Sequence, residues 1–171
     1  ENYTGCPTGT GQCGRAAPWY QPTNGTSDYF NSCYTPNGTG ADVPTNFTGT
    51  QAANTGSAYM GGYFWYSGTG NREYIQTPLS TSLIAGHNYV AKMWVSPSEE
   101  AVAGTCSIQD IGMYFTTGSL IDPALTFAPL GGGSITPQVI ASSIISDRAV
   151  WTLICGTFTG IGGENYLTIG N

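Results

Sequence analysis

Residues 71–96 read NREYIQTPLSTSLIAGHNYVAKMWVS. Ile75 and Leu79 mark a first extended run. In the second, Tyr89, Ala91, Met93 and Val95 alternate with Val90, Lys92, Trp94 and Ser96. Alternation at period two, in residues rich in β-branched and aromatic side chains, is the pattern of a strand with one face in a core. Between the runs, Ala85-Gly86-His87-Asn88 is turn chemistry. The expected unit is two strands joined by a polar turn, and no catalytic constellation comes with it.

Working outward, residues 57–66 (SAYMGGYFWY) read as a strand before this pair. Residues 97–109 read as a loop holding Glu99-Glu100, and residues 110–116 (DIGMYFT) as the next strand. An excursion over 117–134 ends in Gly131-Gly132-Gly133, a flexible turn. Residues 136–142 form a short strand with Pro137 near its start, which suits a strand end or an edge. Residues 147–159 (DRAVWTLICGTFT) are apolar on both parities and read as a central strand. Gly162-Gly163 turns the chain into the last one, residues 164–169. No helix of three turns is visible.

Residues 1–56 differ. They are rich in Gly, Pro, Thr and Asn, with turn signals at Asn24-Gly25 and Asn37-Gly38. So long a stretch without regular structure must be held by something else. It contains Cys6, Cys13 and Cys33, so disulfide stapling is the natural means. About seven strands separated by Gly and Pro turns indicate an all-β, antiparallel two-sheet β-sandwich. The chain is read as a single domain, 1–171, with segment 1–56 packed on strands drawn from 57–171. Ile75, Tyr89, Ala91, Met93, Ile111, Tyr114, Ile154, Phe158 and Ile169 are the expected core.

Only 8% of the residues are charged, against about 25% in ordinary soluble domains. Disorder is a poor reading all the same, because 40% hydrophobic and 12% aromatic content can bury apolar surface. The net charge is −6, and Arg15, Arg72, Lys92 and Arg148 are the cations. That balance argues against nucleic acid and against an anionic membrane surface. No apolar run reaches the ~18 residues of a membrane-spanning helix. A chain that begins at Glu1, with five cysteines and few charges, reads as a processed extracellular protein or a piece of one.

Catalytic signals are weak. His87 sits in a turn, with no nucleophile motif to serve. Glu73, Glu99, Glu100, Asp110 and Glu164 are the acids available for a glycosidase pair, but Glu73 adjoins Arg72 and the Glu99-Glu100 step lies in a loop. No His/Cys cluster has zinc spacing. Aromatic faces that could stack on sugar rings are Trp19, Tyr20, Trp65, Tyr66 and Trp94; strand aromatics are as readily explained by packing. The triplets at Asn2, Asn24, Asn37 and Asn46 match the N-glycosylation pattern, which a segment full of Asn and Thr also generates by chance.

The order of landmarks carries more information. It runs through Cys6-Pro7, Ala17-Pro18-Trp19, Asp28-Tyr29-Phe30-Asn31-Ser32-Cys33 and Gly56-Ser57-Ala58-Tyr59. Next come Arg72-Glu73-Tyr74-Ile75-Gln76, then Leu83, Ala85-Gly86 and Tyr89, then Val95-Ser96, Asp110-Ile111-Gly112 and Tyr114-Phe115. Trp151, Gly156, Phe158, Gly163-Glu164, Tyr166 and Ile169-Gly170-Asn171 close it. In this order the chain resembles the jelly-roll module of exported Bacteroidota surface proteins, the type IX, gliding-motility-associated class. That family is similar, more distantly, to the carbohydrate-binding jelly rolls of xylanases and cellulases.

The resemblance implies a jelly-roll sandwich outside the cell, with sugar binding a weaker implication. Cys6 and Cys33 fall on matching positions. A bridge between them closes a loop of roughly 27 residues, worth about 3 kcal/mol in the chain-entropy model. Cys106 and Cys155 are a second expected pair across neighbouring strands, which leaves Cys13 as the odd thiol. The relatives' structural calcium implies ligands at Glu1 and Asn171. The Bacteroidota family also carries a strand before the position of Glu1 and another after that of Asn171, so residues 164–169 are expected at an open sheet edge.

The expectation is therefore a non-catalytic extracellular module with a structural or adhesive role. It would associate with copies of itself through exposed strand edges, as a unit of a filament or sheath, with no cofactor, nucleic acid or membrane insertion. A carbohydrate-binding module stands second and a glycan hydrolase third.

Overall fold

The computed structural model describes residues 4–64, 72–99, 107–125 and 129–171. It is nearly all β, in several antiparallel sheets, with one disulfide among the described residues, Cys6–Cys33. The strands are β1 (Asp28–Asn31), β2 (Thr45–Asn46), β3 (Gly49–Thr50), β4 (Ala58–Gly61) and β5 (Ile75–Pro78). They continue with β6 (Asn88–Val95), β7 (Gly112–Thr116), β8 (Val139–Ile140), β9 (Thr152–Thr159) and β10 (Tyr166–Gly170). A four-stranded sheet has the order β5-β10-β7-β8. β6 pairs with β9, β1 with β4, and β2 with β3.

Register explains the main core. Ile169 of β10 lies opposite Ile75 on one side and Met113 on the other, and Met113 lies opposite Val139. One apolar row therefore crosses the four-stranded sheet. The β6–β9 ribbon lies against this face. Its inward pairs are Tyr89 with Phe158, Ala91 with Gly156, and Met93 with Ile154, and Phe115 stacks on Phe158 with centroids 4.6 Å apart. A Cβ at Gly156 would sit 2.9 Å from Val139 Cγ1, so the glycine is what allows the ribbon to approach so closely. Ala91, Ile111, Met113, Phe115, Val139, Ala141, Ile145 and Ile154 form the buried cluster.

The β6 parity agrees with the sequence: Ala91 is buried, and Met93 and Val95 pack on the cluster while Val90, Lys92 and Trp94 face outward. Tyr114 does not belong to this core. Its neighbours Met113 and Phe115 hold that face, and Tyr114 shares the opposite face with Gln76 and Thr168.

Two other expectations are corrected. Residues 147–159 do not form a central strand. Asp147 caps a turn by accepting the Ala149 and Val150 amides, and β9 starts at Thr152, its burial alternating along its length. The central strand of the four-stranded sheet is β10, paired with β7 over its whole length and with β5 from Tyr166 to Ile169. The last strand is thus no open edge.

The strand expected over 57–66 ends at Gly61. Beyond it the backbone turns to Glu73: the Tyr63 amide donates to Glu73 Oε2 at 2.9 Å, and the Glu73 amide donates to Tyr63 O at 2.8 Å.

The amino-terminal third is more regular than expected. It contains β1 to β3 and a second core of Phe30, Ala41 and Val43, with Tyr34, Phe47, Ala53 and Tyr59 packed around it. Phe30 lies 5.1 Å from Tyr59 and 5.7 Å from Phe47, centroid to centroid. Tyr59 meets Trp151 edge-on at 5.3 Å, which joins this core to the approach of β9.

The far face of the four-stranded sheet is polar, and Gln76 organises it. Its Oε1 accepts from Tyr20 OH at 2.6 Å, Ser119 Oγ at 2.6 Å and the Leu120 amide at 3.2 Å; its Nε2 donates to Thr168 Oγ1 at 2.6 Å. Tyr20 also exchanges two backbone hydrogen bonds with Gln76. A fully buried amide is tolerated there because its donors and acceptors are matched.

Candidate functional site

A cleft of about 580 Å3 opens where β4, the exit of β6, the approach to β7 and the end of β10 converge. Its first wall is the β2–β3 hairpin, laced to the chain leaving β6. Ser98 Oγ donates to Thr48 O at 2.7 Å, the Thr50 amide donates to Glu99 Oε2 at 3.0 Å, and Ser96 Oγ donates to Gln51 Oε1 at 2.9 Å. Gly49, at φ 130°, comes so close that a Cβ there would lie 2.7 Å from Glu99 Cβ. Arg148 Nε caps Ser98 O at 2.7 Å, and Trp151 Nε1 donates to Ala52 O at 2.8 Å.

Tyr59 stands behind this wall, its hydroxyl accepting from Asn46 Nδ2 at 2.6 Å. Burial pushes the Tyr59 hydroxyl up from its ordinary pKa; the Asn46 bond opposes the shift, and the charges of Asp42 and Glu99 add to it. At the other end, Arg72 Nε donates to Asn171 Oδ1 at 3.2 Å, Tyr74 OH donates to Asn171 O at 3.1 Å, and Asn171 Nδ2 donates to Gln109 O. Asp110, also on the rim, has φ 61°, a conformation non-glycine residues seldom adopt. The lining mixes aromatic rings (Tyr59, Tyr63, Phe64, Trp151) with uncharged polar groups, and among the described residues Arg72, Glu99 and Asp110 are its charges.

The residues singled out from the sequence do not gather here as a set. Trp94 borders the cleft, but its position on β6 faces away from the core and it is 48% exposed. Tyr20 is committed to the Gln76 network on the far face of the four-stranded sheet, with Trp19 beside it. Tyr20 and Trp94 thus lie on opposite sides and make no common platform. Trp65, Tyr66 and Glu100 fall outside the described residues.

Asn171 Oδ1 already accepts from a guanidinium, so a calcium ion there would face a like charge; Glu1 falls outside the described residues. Among the described residues no group of three or more His, Cys, Asp or Glu is placed to hold a metal.

Cys13 is free and buried. Cys155 is free and exposed; Cys106, its expected partner, falls outside the described residues. Burial, then Asp28 and Glu73, push the Cys13 thiol up to about 12. It is therefore an inert structural thiol.

The chain matches no family model, no curated protein and no solved structure. Its chemistry has to be read from its own residues. Glu73 and Glu164, both available as catalytic acids by sequence, hold backbone instead. Glu73 Oε1 accepts the Thr26 amide at 2.8 Å and the Thr26 hydroxyl at 2.7 Å, and its Oε2 accepts the Tyr63 amide. Glu164 accepts the Ile161 and Gly162 amides at 2.8 and 2.7 Å. His87 is exposed and lies on the Gly160 turn, its carbonyl accepting the Gly160 amide at 2.9 Å. It lines neither the cleft nor the smaller pocket on the far face.

Proposed function

We propose that the chain is a non-catalytic extracellular surface module of jelly-roll type, like those of exported Bacteroidota surface proteins, and that it assembles with copies of itself. The supporting observation is the β6–β9 ribbon. Each of its strands has an outer edge with no strand partner among the described residues. Its outward face shows Val90, Trp94 and Leu153 at 60, 48 and 43% exposure, with Lys92 as its charge. Open edges of this kind template pairing unless charge, proline or a bulge blunts them. In this reading the self-associating surface is the ribbon and not the last strand, whose two edges are occupied.

The test is sedimentation and electron microscopy of the purified chain. Ordered oligomers are expected. Val90→Glu combined with Leu153→Glu, neither of which lines the cleft, should dissolve them with little change in melting, because exposed side chains contribute little to the fold. A parent chain monomeric at every concentration would remove the basis for this reading.

A second reading rests on the cleft. Rings and neutral polar groups around a concavity suit a neutral glycan. Binding on a glycan array, lost in Trp151→Ala and kept in the doubly substituted ribbon variant, would establish it. Binding lost only in the ribbon variant would exclude the cleft.

A further inference from the structure

The chain holds two Asn-Gly pairs, and the structure treats them differently. Asn37-Gly38 lies at the tip of an exposed turn. Gly38 has φ 78°, and a Cβ built on it would meet nothing within 4 Å, so the space around it is open. At Asn24-Gly25 the asparagine is exposed, but the glycine that would supply the nucleophilic nitrogen is confined. Gly25 is buried, a Cβ there would lie 3.2 Å from Glu73 Cγ, and the Asn24 amide donates to Leu125 O at 2.9 Å.

We propose that Asn37 is a site of spontaneous covalent modification, where the chain converts itself to aspartate and isoaspartate. The Gly38 nitrogen loses its proton to a solvent base and attacks Asn37 Cγ, unhindered because glycine has no side chain. The N–Cγ bond forms and the Cγ–Nδ2 bond breaks. Nδ2 takes a proton from solvent and leaves as ammonia. One water then opens the five-membered ring at either carbonyl, restoring the ordinary linkage as aspartate or lengthening the backbone as isoaspartate. No oxidant, reductant or cofactor takes part.

Asp42 acts as a brake on this step. Its Oδ2 accepts the Gly38 amide at 2.5 Å while its Oδ1 accepts the Val43 amide at 2.8 Å. The nucleophilic nitrogen is thus tethered by a charge-assisted bond that must open first. The product also matters to the fold, since it sets a second carboxylate beside Asp42. The Asp42 carbonyl accepts from Asn46 Nδ2, which in turn holds Tyr59 behind the cleft wall.

The test is to incubate the oxidised full chain at mildly alkaline pH. Peptide mapping and isoaspartyl methyltransferase labelling then follow both sites. Residue 37 should convert at least about tenfold faster than residue 24, since confined backbone reacts only through rare local opening. Asn37→Gln should abolish most of the signal. Asp42→Asn, which leaves a neutral partner for the Gly38 amide, should speed conversion several-fold. Equal conversion at 24 and 37, or none at 37, overturns the proposal. Slower conversion in Asp42→Asn overturns the brake and makes Asp42 the base.

Discussion

Replacing Glu73 by Ala should destabilise the protein by about 4 kcal/mol, since three bonds to a charged acceptor are lost at about 1.5–3 kcal/mol each and part of that is recovered by relaxation. Glu73 is 1% exposed. It ties together three separated pieces of chain: the turn before β1 through Thr26, the turn after β4 through Tyr63, and the start of β5. Truncation would leave the part-buried Thr26 and Tyr63 amides without an acceptor, and an orphaned donor costs more than a typical bond contributes. One effect runs the other way, because loss of the Glu73 charge relieves Asp28, whose carboxyl it helps push up. Glu73→Gln keeps one acceptor oxygen and should cost roughly half as much. Denaturant titration of the two variants measures both. A loss below about 1 kcal/mol for Glu73→Ala would mean that water replaces the carboxylate at little cost.

The strand identities were legible where period and composition agreed. β6 is the clearest case: Tyr89, Ala91, Met93 and Val95 alternate with polar or outward residues, and the parity follows directly. β7 could not be resolved this way, because Met113, Tyr114 and Phe115 are consecutive and apolar on both parities. What chooses Met113 and Phe115 is register across the sheet, with Ile169 and Val139 beside Met113 and Leu167 beside Phe115. No local pattern encodes that register. The same limit explains β10: nothing within residues 164–169 tells a central strand from an edge, and its partners come from β5 and β7, both distant in sequence.

Gln76 looks like an ordinary polar residue on a half-buried strand, yet it is wholly buried and bonded to Tyr20, Ser119, Leu120 and Thr168. The cleft was hidden for a related reason. Its wall depends on the pairing of residues 48–51 with 96–99 and on Trp151 reaching Ala52, contacts made by irregular chain. The Cys6–Cys33 bridge was readable because two cysteines flanked a segment that had to be held.

Stability should fall as pH rises from about 4 to about 7, the reverse of the usual effect of surface carboxylates, with Asp28 as the cause. Burial pushes its carboxyl up to about 7, the Gly11 amide on Oδ1 at 2.6 Å opposes the shift, and the Glu73 charge adds to it. In the unfolded chain the same group titrates near 3.8. Below the unfolded value both states hold the proton, and the stabilisation is complete. Between the two values the unfolded chain has released its proton while the folded one keeps it, so each unit of pH costs about 1.4 kcal/mol. Above about 7 the loss levels off, at a total of roughly 4 kcal/mol if the full shift is expressed. Cys13, pushed up to about 12, stays protonated throughout this window.

Glu164 acts at the other end. It is covered by its own turn, so burial pushes it up, but the amides of Ile161, Glu164 itself and Gly162 outweigh that and lower it. Its contribution is present above the ordinary carboxylate range and is lost as pH falls through its lowered value. Together the two acids place maximum stability in mildly acidic solution. Asp28→Asn keeps an acceptor for the Gly11 amide and removes the titration. It should therefore flatten the slope between pH 5 and pH 8 and melt above the parent at the higher pH, as calorimetry at the two values would show. A parent whose melting temperature holds or rises from pH 5 to pH 8, or a variant with the parental slope, would mean that Asp28 is ionised in the folded protein across this range.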